Sequence, residues 1–213
     1  MMEFDGKVAI VTGATSGIGM ATVRKFAEQG AKVAAVGRKE QGLGKIATAN
    51  IKTYAVDLLD ERETAAFVKD VQNDFGGVDV LVNAAGIIAS GTVENTTLAD
   101  YDLMMNINVR SVFQLTQLLL PSIIERKGNI VNVSSVTGLR AFPGVFAYCI
   151  SKAAVDQLTR CASLELAPKG VRVNAVNPGV VRTNLHRNSG MSEDAYANFV
   201  ERSKTTHPIG RIG

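Results

Sequence analysis

Cysteine is scarce in this 213-residue sequence, which holds two, Cys149 and Cys161. Both fall in a stretch with helical character and are read as reduced side chains, so a scaffold stapled by disulfides is excluded. An excess of one charge is lacking as well. The formal net charge is +3 and no run of Lys or Arg exceeds two residues, too little and too dispersed to mark a nucleic-acid or membrane surface. No apolar stretch approaches the ~20 residues that a membrane span needs, and no basic-then-apolar leader precedes the first strand-like segment. A cytoplasmic location is the expectation that follows. The only histidines are His186 and His207. Both lie in a late loop region outside any metal-ligand or triad-like cluster, so no metal site is expected and each is assigned a surface role. Ser134 and Ser135 do not sit in a G-x-S-x-G elbow, which argues against an α/β-hydrolase.

What is present is enough apolar material for one core. The chain is 46% hydrophobic and 20% charged, with 20 Gly and 5 Pro, an ordinary globular composition whose length suits a single domain over residues 1–213. Short apolar, β-branched runs at Lys7–Thr12, Lys32–Val36, Thr53–Val56, Asp79–Asn83, Asn129–Ser134 and Val171–Asn177 read as strands. The second to fifth carry little polar alternation, as strands covered on both faces do. Helical patterns lie between them at Ile18–Glu28, Asp60–Phe75, Leu98–Glu125 and Tyr148–Ala167, and Gly42–Asn50 is a weaker candidate for a short helix. Strand-helix alternation implies right-handed crossovers and an α/β fold, a Rossmann-type doubly wound parallel sheet with helices on both faces.

In such a sheet, ligands sit beyond the carboxyl ends of the strands. The segments just after each strand therefore become the candidate site. After the first comes Thr12-Gly13-Ala14-Thr15-Ser16-Gly17-Ile18-Gly19, leading into a helix. Glycines permit close approach of backbone N–H groups to a pyrophosphate, whose charge the helix N-terminus favours. The spacing is GxxxGxG rather than the GxGxxG of the common fingerprint, and no Lys-Ser or Lys-Thr pair makes it a P-loop. The second strand ends at Gly37 and Arg38, where an NAD site normally offers a carboxylate to the ribose. Glycine cannot do this, whereas the Arg38 fork suits a 2′-phosphate. NADP(H) is favoured, with NAD(H) possible.

Ser135, Tyr148 and Lys152 form the pattern S-x12-Y-x3-K. Tyr148 and Lys152 are four apart and share a helix face. A phenol is a poor base at neutral pH, but a neighbouring ammonium favours the phenolate and lowers its pKa. Tyr148 could then donate a proton to a carbonyl oxygen or remove one from an alcohol, with Ser135 hydrogen-bonded to that oxygen.

Taken together these motifs resemble the short-chain dehydrogenases/reductases in their compact form, 3-oxoacyl reductases among them. The likeness runs from the Thr12–Gly19 loop through Asp57, Asn83-Ala84-Ala85-Gly86, Asn108 and the Ser135/Tyr148/Lys152 set to Asn177-Pro178-Gly179 and Thr183. It implies Tyr148 as general acid/base, Ser135 as the group orienting substrate, Lys152 on the nicotinamide ribose, and Asn108 holding a proton-relay water. It also implies a cofactor site built from Gly13, Thr15, Ser16, Gly17, Ile18, Gly19, Arg38, Asp57, Leu58, Asn83, Ala85, Gly86, Tyr148, Lys152, Pro178, Gly179, Val181 and Thr183, and assembly into dimers or tetramers. Two departures stand out. Ala84 replaces a second Asn that is common there, which weakens local hydrogen bonding. The chain also stops at Gly213, short of a helix and seventh strand that the resemblance implies, so the sixth strand is expected to present an open edge.

Around the expected substrate position, Ile87–Ser90 and Thr137–Val145 are mostly apolar, with Leu139, Phe142 and Val145 prominent and Arg140 the one obvious partner for an anion. A largely apolar carbonyl or alcohol of medium size fits. An amphipathic run from Ser192 to Ser203, with Ser192 as its cap, reads either as a lid or as a surface helix. The alternatives to an NADP(H) carbonyl reductase are an NAD-linked alcohol dehydrogenase, a nucleotide-binding sensor or scaffold without turnover, and a nucleotide-sugar epimerase or dehydratase, for whose extra domain this length has no room.

Overall fold

The computed structural model describes residues 2–213. Six parallel strands, β1 (Val8–Thr12), β2 (Lys32–Gly37), β3 (Ile51–Ala55), β4 (Val80–Asn83), β5 (Asn129–Val133) and β6 (Arg172–Val176), form one sheet in the order β3-β2-β1-β4-β5-β6. The order reverses between β1 and β4, where Ile10 pairs with Leu81 on one side and Ala34 on the other. That reversal opens a crevice at the carboxyl ends of the two strands.

Helices α1 (Gly17–Glu28), α2 (Glu40–Leu43), α3 (Glu61–Phe75), α4 (Leu98–Met105), α5 (Ser111–Glu125), α6 (Phe146–Leu166), α7 (Leu185–Asn188) and α8 (Glu193–Thr206) complete the fold. The apolar residues of β1 divide between its two faces. Ile10 packs with Phe67 and Val71 of α3 and Leu115 and Leu119 of α5, while Ala9 and Val11 pack with Val23 of α1. Each fully buried side chain of this size contributes about 1.5–3 kcal/mol. Helix starts follow capping chemistry. The Asp60 carboxylate accepts from Arg62 N and Glu63 N, Thr97 Oγ1 from Asp100 N, and Ser192 Oγ from Ala195 N, each satisfying a donor that the helix itself leaves open.

The sheet is the doubly wound one expected from the sequence, with three local corrections. First, Leu98–Glu125 is not one helix. A π-turn at Asn106–Arg110 interrupts it, with the Ser111 N–H donating to Asn106 O five residues back. Second, the short helix spans Glu40–Leu43 and not Gly42–Asn50: it ends at Gly44, and Thr48 and Ile51 exchange main-chain hydrogen bonds instead. Third, β3 is an edge strand with Lys52 exposed, so covering on both faces holds for β2 and β4 but not for it. At the other edge, no strand among the described residues pairs with the free side of β6. Among those residues no helix is long and apolar enough to cross a membrane.

Candidate active site

A cleft of ≈ 1060 Å³ runs across the carboxyl ends of the strands. At one end the glycine loop folds back on the first turn of α1 so tightly that a Cβ on Gly19 would lie 2.3 Å from Gly13 O. No side chain is tolerated there. Ser16 precedes α1 in extended conformation and makes no side-chain cap, so the first-turn N–H groups remain available to an anion. A closely approached backbone with uncapped N–H groups fits a dinucleotide pyrophosphate. Thr12 Oγ1 accepts from both Ala84 N and Ala85 N at 3.0 Å and so fixes the loop after β4 against the glycine loop. At the end of β2, Arg38 is exposed and makes no ion pair among the described residues.

Further along the cleft, Ser135, Tyr148 and Lys152 converge. All three are buried, at 7%, 7% and 5% exposure. Lys152 Nζ donates to Val133 O at 2.8 Å and lies 5.6 Å from the Tyr148 ring centroid. Burial lowers its pKa to about 8, against the attraction of Asp156. Burial also raises the Tyr148 phenol above its ordinary value, with the Ser135 hydroxyl acting in the opposite sense. The ammonium expected to lower the phenol is thus itself destabilised by desolvation, and burial governs both groups.

A buried polar network supports this trio. Asn177 Nδ2 donates to Ser135 O and lies 3.0 Å from both carboxylate oxygens of Asp156, a residue 4% exposed. Ser134 Oγ donates to Lys152 O at 3.1 Å. Asn108 occupies the middle of the π-turn. Its Oδ1 accepts from Ile87 N, while Nδ2 donates to Ile87 O and to Ser151 Oγ, which in turn donates to Tyr148 O. The widened turn is what lets one side chain reach both the β4 loop and α6.

Of the positions expected to hold the cofactor, all but Asn83 line the cleft. Asn83 is 3% exposed and its Nδ2 donates to Asn132 Oδ1 at 2.8 Å, so it ties β4 to β5 beneath the floor. Asn108, 1% exposed, likewise stands behind the wall formed by Gly86 and Ile87. Among expected substrate contacts, Ile87, Ile88, Arg140, Phe142 and Val145 line the cleft, whereas Leu139 points outward at 61% exposure. Sequence reading missed Asp156, although its i, i+4 spacing from Lys152 was a usable signal. It also missed Arg202 and Phe199 of α8, which line the cleft as Arg140 does. For His207 it gave the wrong environment. The ring is half-buried, with both nitrogens hydrogen-bonded.

A parallel sheet with this crevice at its crest is an architecture that nucleotide-dependent oxidoreductases share with other ligand-binding proteins, and the comparison with known proteins narrows it. Residues 7–194 match the short chain dehydrogenase family. The chain belongs to the short-chain dehydrogenases/reductases and is an NAD(P)(H)-dependent enzyme of that family. It is 36% identical to the 3-oxoacyl-acyl-carrier-protein reductase FabG of Thermotoga maritima, over 100% of this chain and 87% of that protein. To carbonyl reductase (NADPH) 2 of Sus scrofa it is 38% identical, over 99% of this chain and 85% of that one. The structure of a Caenorhabditis elegans family member of unknown function, solved with cofactor, superposes with a TM-score of 0.93 at 32% identity, covering 99% of this chain and 84% of that one.

Proposed function

We propose that the enzyme transfers a hydride between NADP(H) and a carbonyl or secondary-alcohol substrate, with Tyr148 as general acid/base. The observation that carries this reading is the convergence of buried Ser135, Tyr148 and Lys152 in the same cleft as the glycine loop. Gly13, Gly17 and the first turn of α1 receive the pyrophosphate. Asp57 and Leu58 flank the adenine, and Arg38 pairs with the 2′-phosphate. Ala85, Gly86, Lys152 and the Pro178–Thr183 turn receive the nicotinamide half. The bound cofactor supplies or accepts the hydride.

The chain's own residues manage the oxygen. Ser135 and Tyr148 direct their hydroxyls at it, and Tyr148 gives it a proton in reduction or takes one in oxidation. Lys152 holds the ribose and, as a cation, favours the phenolate in oxidation. Asn108 is assigned the inner end of the proton relay. Arg140 and Arg202 line the cleft, whose one acidic lining residue among the described residues is Asp57, and favour a carbonyl compound carrying a remote anionic group on a largely apolar body.

Residues 1–213 are read as one dinucleotide-binding and catalytic unit working in the cytoplasm. Leu103, Phe113 and Leu164, exposed at 46%, 53% and 78% on α4, α5 and α6, are assigned to self-association, to be checked by light scattering. The deciding experiment on function is an NADPH and NADH titration followed by turnover on a ketone panel with and without anionic tails. NADPH-linked reduction is expected. Cofactor binding without turnover on any ketone or alcohol would favour a sensor instead.

A further inference from the structure

We infer that His207 is a positioning residue that tethers the turn after β6 in the shape the nicotinamide half requires. The inference rests on the dinucleotide reading of the cleft. Residues 177–184 adopt no regular structure, yet Pro178, Gly179, Val181 and Thr183 form one wall of the cleft. Such a segment holds its shape only through contacts from elsewhere.

Its main-chain ties are few. Pro178 O accepts from Val136 N, and Gly213 pairs with Val180 O and Arg182 N. Side chains hold the segment at its ends and its middle: Asn177 Nδ2 donates to Ser135 O, Tyr196 OH of α8 donates to Thr183 O at 3.3 Å, and between them the Val180 N–H donates to His207 Nε2 at 3.0 Å. On the far side of the ring, Nδ1 lies 2.7 Å from Ser203 O. Both partners are main-chain groups of fixed character. Val180 N–H can only donate and Ser203 O can only accept, so the ring is neutral with its proton on Nδ1.

The contact is close as well as polar. A Cβ on Gly179 would lie 2.6 Å from Nε2, so only glycine lets the imidazole lie against this turn. His207 follows directly on α8, whose Phe199 and Arg202 line the same cleft. The ring therefore joins α8 to the turn after β6, two parts of the lining of one cleft, so that a shift in α8 is transmitted to the turn.

Two polar substitutions separate the two bonds. His207→Asn keeps a donor near the Nδ1 position but has no atom that reaches Val180. His207→Gln places an acceptor near the Nε2 position. Each variant is titrated with NADPH and with 2′-phospho-ADP-ribose, which has the same adenosine half and no nicotinamide (NADH and ADP-ribose serve if those bind tighter). His207→Asn is expected to weaken NADPH about tenfold, as loss of one well-placed hydrogen bond does. It should leave 2′-phospho-ADP-ribose binding unmoved, and His207→Gln should recover most of the loss. Equal weakening of both ligands, or none of either, would overturn the tether. If the unaltered protein binds neither ligand, the cofactor reading itself falls and the inference with it.

Discussion

The two halves of the cleft are made in different ways. On the β1–β2 side the cofactor cradle is mostly main chain, a glycine loop packed on its own helix with N–H groups left open. On the β4–β6 side the candidate reacting groups and the residues that position them are side chains drawn from five parts of the sequence: Asn108, Ser135, Tyr148 with Lys152, Asn177 and His207. Buried hydrogen bonds between distant segments hold them in place. A contiguous motif is enough to specify the first half. The second exists only once the sheet has formed, which places chemistry and tertiary packing under the same constraints.

The sharpest way to break this division is Tyr148→Phe, which removes one oxygen from the second half. Turnover should fall by about 10²- to 10⁴-fold, the usual contribution of a general acid/base, while fluorescence titration shows cofactor binding intact. Wild-type turnover in this variant would remove Tyr148 from the mechanism. Gly19→Ala attacks the first half instead. Its methyl meets the Gly13 carbonyl, so cofactor affinity should drop by at least about 100-fold (about 2.7 kcal/mol). An unchanged Kd would mean that the loop can open without cost.

Arg38→Ala is the finer probe of the same half. NADPH binding should weaken by about tenfold, or about 1.4 kcal/mol, with NADH unaffected. Parallel loss of both would show that Arg38 does not read the 2′-phosphate.

A last comparison concerns stability and pH rather than the cofactor. Lys152 titrates at about 8 in the folded protein against an ordinary 10.5. Its burial penalty is therefore fully present below pH 8 and is relieved as pH rises toward 10.5, so stability increases across that window, by at most about 1.4 kcal/mol per pH unit. Tyr148, raised above 10.0, works in the opposite sense only at pH above that value. Urea midpoints of the wild type should climb between pH 8 and 10 relative to those of Lys152→Met. Parallel curves would show that desolvation does not set the lysine's proton affinity.

The difference between the halves also explains what could be read without coordinates. The doubly wound sheet was legible because β-branched runs recur between helical periods, and the glycine loop because a phosphate site needs backbone close by. Tyr148 and Lys152 were legible because helical spacing puts them on one face. The burial of the Asn83 side chain against Asn132 was not legible because nothing local says whether an amide at a strand end faces the crest or the neighbouring strand. His207 was passed over because its partners, Val180 and Ser203, offer only main-chain atoms, and these carry no residue-type signature. The break within Leu98–Glu125 escaped because a π-turn leaves the apolar pattern of its flanks nearly intact.

That turn has a consequence for how the enzyme can be switched off. A π-turn holds one residue more than the regular helix it interrupts, so it acts as a phase shift between α4 and α5. Deleting a single residue within Asn106–Arg110 would let the two helices fuse in common phase. The apolar face of α5 could stay seated on the sheet while Asn108 or its replacement swung off the line joining Ile87 to Ser151. Connection between the β4 loop and α6 is thus written in the length of a helix as much as in its side chains, and it can be lost by deleting a residue such as Arg110 that does not itself line the cleft.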